Sequence, residues 1–131
     1  MGLRPVSGRY FIDMATYARI YESYAHGGEI ILKTDVVFQH FMKFCSYFLS
    51  TNIFFLLCAS LYIVPLFAVS KRIFKEYWFY AFFMFLISMS FWTYGVNGIR
   101  NGIATSIFLL GATYYNKKKI MIGLFIISIL F

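Results

Sequence analysis

Residues 52–70 read NIFFLLCASLYIVPLFAVS, from Asn52 to Ser70, without a single charge. A helix of ~20 apolar residues crosses a hydrocarbon core ~30 Å thick. The stretch therefore predicts a membrane-spanning helix, opened by the polar Ser50-Thr51-Asn52. Pro65 lies inside it. Membrane helices tolerate proline where a neighbour satisfies the carbonyl that loses its N–H partner.

The same pattern extends on both sides. Charges are absent from Phe44 to Ser70, from Tyr77 to Ile99, from Asn101 to Asn116 and from Ile120 to Phe131. The expected spans are about 52–70, 77–94, 98–115 and 120–131. Tyr77, Trp78 and Tyr80 mark one end of the second, and Trp92 and Tyr94 the other, as aromatic rings do at two membrane interfaces. The last segment would reach only ~18 Å as a helix. We therefore expect the chain to be a fragment, the front part of a longer protein.

Composition supports lipid as the solvent. The chain is 61% hydrophobic and 13% charged, with mean hydropathy +0.72. Soluble domains carry about 25% charged residues. The net charge is +7, which could suit nucleic acid or anionic lipid. Six of the twelve bases (Lys71, Arg72, Lys75, Lys117, Lys118 and Lys119) sit in two short links between apolar segments. That placement serves membrane orientation, so no nucleic-acid partner is expected. The positive-inside rule puts both links in the cytoplasm. Tyr94 to Asn101 and the segment before Asn52 then face outward.

Residues 1–51 are expected to form amphipathic helices at that outer face. Tyr10, Met14, Tyr17, Tyr21 and Tyr24 recur every three or four residues, on one helical face. Tyrosine suits the interface, where its ring is buried and its hydroxyl stays wet. Gly27-Gly28 ends that helix. A second begins near Thr34-Asp35, with Phe38, Phe41, Met42, Cys45, Phe48 and Leu49 on one side and Gln39, His40, Lys43 and Ser46 on the other. It lies along the bilayer or packs within a bundle. The fold class is thus all-α, a multi-pass membrane helical bundle with interfacial helices before it.

Arg100 interrupts an otherwise uncharged run of about forty residues from Tyr77 to Asn116. A charge near membrane depth is costly and often functional. The alternative is an interfacial Arg whose stem snorkels to water. Arg4, Arg9, Arg19 and Asp13 fall on the same outer side, where clustered Arg can grip phosphate through paired hydrogen bonds. The alternative is that Arg9 and Asp13, four apart, simply pair with each other. His26, His40, Cys45 and Cys58 lack the spacing of a metal or redox site, and no metal or cofactor is expected.

Two motifs carry a resemblance. One is Asp13-x3-Tyr17-x3-Tyr21 after Gly2-Leu3-Arg4-Pro5. The other runs from Gly95 to Ala104, GVNGIRNGIA, followed by an apolar helix and a short basic turn. Together they resemble the EpsG/Wzy-type family of bacterial polysaccharide polymerases. That family shows an Asn-x2-Arg-Gln-x-Ile-Ala pattern at the outer start of a membrane helix. Asn97, Arg100, Ile103 and Ala104 match it, and Asn101 replaces the Gln by another neutral amide.

The resemblance implies a protein of the bacterial cytoplasmic (inner) membrane that makes exopolysaccharide or O-antigen. It would join oligosaccharide repeats carried on undecaprenyl pyrophosphate. The partners would be the bilayer, that lipid-linked glycan and other proteins of polysaccharide assembly. Arg100 and Asp13 would be catalytic, and Arg4, Asn97 and Arg9 would bind substrate. Two rival readings are a secondary transporter fragment, with the glycine-rich break as its site, and a small non-enzymatic membrane protein associating through Gly98 and Gly102.

Overall fold

A computed structural model describes residues 12–28 and 36–131, with the side chains of Ile12, Asp13 and Val96 left out. The described residues form seven α-helices and no strand. They are α1 (Ile12–Ala25), α2 (Val36–Ser46), α3 (Thr51–Phe74), α4 (Trp78–Ile87), α5 (Met89–Val96), α6 (Ile99–Ala112) and α7 (Lys118–Leu130). The all-α expectation holds. The Tyr10, Thr34 and Asp35 readings lie outside the described residues.

The helical run that begins at Thr51 is long and apolar enough to cross a membrane. Its first helix alone has 24 residues, about 36 Å at 1.5 Å per residue. Pro65 sits inside α3 without ending it. The proline has no N–H, so the carbonyl of Leu61, four residues back, loses its helical donor. Ser106, fully buried on α6, places its hydroxyl 3.4 Å from that carbonyl. The same hydroxyl lies 2.9 Å from the Ile103 carbonyl of its own helix, so its single proton serves mainly that carbonyl and gives the one freed by the proline only a weak second contact.

Lys75 reverses the chain after α3. It is the non-glycine residue with positive φ among those described, at 43°, and it opens a single 3-10 turn, Lys75–Tyr77. The next helix then folds back. Phe67 on α3 meets Trp78 and Phe82 at 5.4 and 5.5 Å between ring centres. Further on, Tyr62 stacks on Phe91 at 5.2 Å. The falling numbers on one side and rising numbers on the other define an antiparallel pair.

The expected second span is not one helix. Ser88 takes an extended backbone, ψ 138°, between α4 and α5, and its hydroxyl accepts the Phe91 N–H at 3.2 Å. A serine that can cap a new helix competes with continuing the old one.

α6 runs parallel to α3. Ser106 reaches Leu61, and Arg72 near the end of α3 lies over Tyr114 just past α6. α7 then returns along α6. Ser128 donates to the Ala104 carbonyl at 2.9 Å, and Phe108 stacks on Phe125 at 4.8 Å. The outer face of these helices is apolar: Phe79, Phe83, Met84, Met89 and Ile129 are all exposed. Such a surface suits hydrocarbon rather than water.

The tyrosine stripe of α1 departs from expectation. Met14, Tyr21 and Tyr24 face the protein core, not an interface. Tyr21 stacks on Phe54 at 4.6 Å and donates to the Leu49 carbonyl at 2.8 Å. Tyr24 donates to Gln39 Oε1 at 3.1 Å. Gln39, expected on the polar side of α2, is therefore buried as an acceptor. A phenol needs an apolar wall and one partner, and a folded core offers both as well as an interface does. Phe48, expected on the apolar side, is 76% exposed. α2 is thus a packed helix, with Phe38, Met42 and Cys45 buried.

Burial pushes the Tyr21 phenol from 10.0 up to about 12, and the thiols of Cys45 and Cys58 add to the rise. Between those values the unfolded chain loses this proton and the folded chain keeps it. Its contribution to stability is complete below pH 10 and is lost as pH rises towards 12. Ultraviolet titration of wild type against Tyr21→Phe should place this phenolate band near pH 12. A band at the ordinary tyrosine position would overturn the assignment.

Candidate functional site at the glycine-rich turn

The turn between α5 and α6 is built by its own backbone. The N–H groups of Asn97 and Gly98 both donate to the Thr93 carbonyl, at 2.9 and 3.2 Å. Gly98 precedes α6, and Gly102 donates to its carbonyl at 2.8 Å. Both glycines face Tyr94. A Cβ on Gly98 would stand 3.2 Å from Tyr94 Cδ1, and one on Gly102 would stand 3.2 Å from the Tyr94 carbonyl oxygen. The close approach expected of the Gly98/Gly102 face is therefore made within the chain, by α5.

This packing fixes the first turn of α6. Ile99, Gly102 and Ile103 are buried, Ile103 completely. Rotation of the helix is locked by those three, so Arg100 and Asn101 are held at the rim, Arg100 half-buried and Asn101 exposed. They line an open cleft of about 470 Å³ with Ala104, Ser128 and the end of α7. Asn97 is exposed at the turn itself.

α1 comes to the same end. Met14 lines a narrow crevice with Tyr62, Tyr94, Gly95 and Ile99. The crevice holds only about 10 Å³, about the least that admits one water, so it is a packing seam. Asp13 precedes Met14 in the first turn of α1. The Asp13 side chain, Arg4 and Arg9 lie outside the described residues. The structure thus brings Arg100, Asn97 and the start of α1 to one end of the bundle.

Sequence reasoning missed Asn101 and Ser128 as cleft residues. Asn101 was visible only as a departure from the family pattern. Ser128 reaches the cleft because α7 folds back on α6, which no local signal in 120–131 encodes. The two histidines are structural: His26 Nδ1 and His40 Nδ1 each lie 2.8 Å from the carbonyl four residues earlier in their helices.

Chemically, the cleft presents the Arg100 guanidinium, the Asn101 amide and the Ser128 hydroxyl beside Ala104, Ile129 and Leu130, with the Asn97 amide exposed on the adjoining turn. Such groups have the chemistry to bind an anion: Arg supplies paired donors to phosphate oxygens, and amides supply neutral hydrogen bonds. The EpsG family model matches residues 4–131. No curated protein and no solved structure matches the chain.

Proposed function

The chain belongs to the EpsG family, a family of polysaccharide-related membrane proteins, and from that membership we propose that it supplies the anion clamp of a polysaccharide polymerase. The reaction joins oligosaccharide repeats carried on undecaprenyl pyrophosphate at the outer face of the bacterial cytoplasmic membrane. The acceptor sugar hydroxyl attacks the anomeric carbon of the donor repeat. The C–O bond to the pyrophosphate breaks, and lipid pyrophosphate leaves with the bonding pair. The hydroxyl proton passes to a base.

Arg100 binds the pyrophosphate as its charge develops, and Arg4 and Arg9 serve as further substrate-binding bases. Asn97 hydrogen-bonds the same group or the adjoining sugar. Asp13 orients the acceptor. Donors placed where charge appears in the transition state are usually the largest electrostatic term in such a reaction. The observation that carries this reading is Arg100 fixed at the rim of the cleft, at the end of the bundle that α1 also reaches. Across the bilayer, α3, α4–α5, α6 and α7 serve as successive spans.

The experiment is removal of the protein from a cell that depends on it for polymer. Cells without it should keep single lipid-linked repeats and lose the polymer ladder on a gel. An unchanged ladder would sink the proposal. A transporter would instead leave the repeats on the cytoplasmic side, which protease-free labelling of surface glycan distinguishes.

A further inference from the structure

The opposite end of the bundle carries a second basic site, unrelated to the glycine-rich turn. Six bases gather there, Lys71 and Arg72 in the last turn of α3, Lys75 just after it, and Lys117, Lys118 and Lys119 around the start of α7, with Glu76 as the acidic residue among them. Two are held on aromatic faces. The Arg72 guanidinium lies 3.8 Å from the centre of the Tyr114 ring. Lys71 Nζ lies 5.0 Å from the Phe67 ring and 5.3 Å from the Trp78 ring. Stacking uses the face of a guanidinium and leaves the N–H donors around its edge available. Among the described residues no carboxylate pairs with either.

Arg72 also stands over a cleft of about 540 Å³ between α3 and α6. The cleft is two-sided in character. Val69, Ile73 and Leu109 form an apolar wall, and Arg72, Thr113 and Asn116 form the polar rim. A soluble phosphate would satisfy the rim and leave the wall bare. A zwitterionic lipid would bring its own cation against the bases. We propose that this cleft binds an anionic phospholipid, its phosphate on Arg72 and an acyl chain along Val69, Ile73 and Leu109. Basic pockets between membrane helices recognise acidic lipids in this way.

Native mass spectrometry of the purified chain in detergent tests it, with dioleoyl phosphatidylglycerol and dioleoyl phosphatidylcholine added in equal amounts. Wild type should retain the glycerol lipid about tenfold over the choline lipid, as one charge-assisted pair supplies. Arg72→Gln removes the charge and leaves the wall. Ala112→Phe fills the cleft, which Ala112 also lines, and leaves every charge. Both should bring the ratio close to one while the helical circular dichroism stays that of wild type. Should Arg72→Gln not fold, the wild-type ratio and Ala112→Phe decide. Equal retention of the two lipids by wild type, or an unchanged ratio in Ala112→Phe, overturns the proposal. So does displacement of the glycerol lipid by excess inorganic phosphate, which would make the site one for free phosphate.

Discussion

Arg100→Ala should cut polymer formation by about 10²- to 10³-fold, the loss typical of removing one charge-stabilising donor from a reaction centre. On a gel the ladder should collapse to its shortest rungs. The helix itself should survive, because Arg100 is only half-buried and the first turn of α6 is held by Ile99, Gly102 and Ile103. Arg100→Lys separates charge from geometry. Lysine keeps the positive charge but loses the planar fork that grips two phosphate oxygens at once. It should therefore fall between wild type and alanine, about tenfold down. Wild-type chain lengths in both variants would remove Arg100 from the mechanism. A loss in both that is matched by loss of folded protein would make it structural.

The second large effect is on stability. Phe54→Ala should cost about 3–5 kcal/mol, the range for emptying a fully buried aromatic site. Phe54 is 1% exposed and is where three helices meet. It stacks on Tyr21 of α1, approaches Phe38 and Phe41 of α2 at 6.5 and 5.8 Å, and contacts Phe55 of its own helix at 5.7 Å. The surrounding rings are rigid and cannot collapse into the gap. A loss of that size is a large share of the ~5–15 kcal/mol that holds a domain folded. Limited proteolysis should show α1 and α2 opening first, since they join the bundle through this cluster. Phe83→Ala is the control. Phe83 is 52% exposed on the apolar outer surface, and its loss should change stability by no more than ~0.5 kcal/mol. Equal melting of the two variants in detergent would show that the cluster around Phe54 does not carry the packing assigned to it.

Much of this architecture is legible in the sequence. The basic links at Lys71–Lys75 and Lys117–Lys119 mark the ends of helices because lysine does not stay in hydrocarbon. Gly27 ends α1 at φ 85°, where glycine alone is comfortable. Phe38, Met42 and Cys45 are buried as their spacing predicts. What was hidden depends on partners far away in sequence. Tyr21 and Tyr24 have the same spacing whether their rings meet lipid headgroups or Phe54 and Gln39. Gln39 reads as surface until Tyr24 is placed beside it. The break at Ser88 is one small polar residue among aromatic ones, and its capping role shows only in three dimensions.

The site divides along the same line. Arg100 and Asn97 stood out because a charge and an amide interrupt a long apolar run. The cleft that Arg100 borders did not, since one of its walls comes from α7. Asp13 shares an end of the bundle with them through α1, which sequence order alone suggested by topology rather than by contact.

The parallel course of α3 and α6 has an electrical consequence. Each helix carries a macrodipole worth about half a charge at either terminus. Two such helices point their positive poles at the Arg100 end and their negative poles at the Lys71–Arg72 end. The broken pair α4–α5 and the returning α7 point the other way. The backbone fields therefore largely cancel across the bundle. What each end presents is then set by its side chains, and among the described residues these are cationic at both. An apolar middle between two positive faces is a field that attracts anions to either end of the bundle, with no net backbone polarity to favour one.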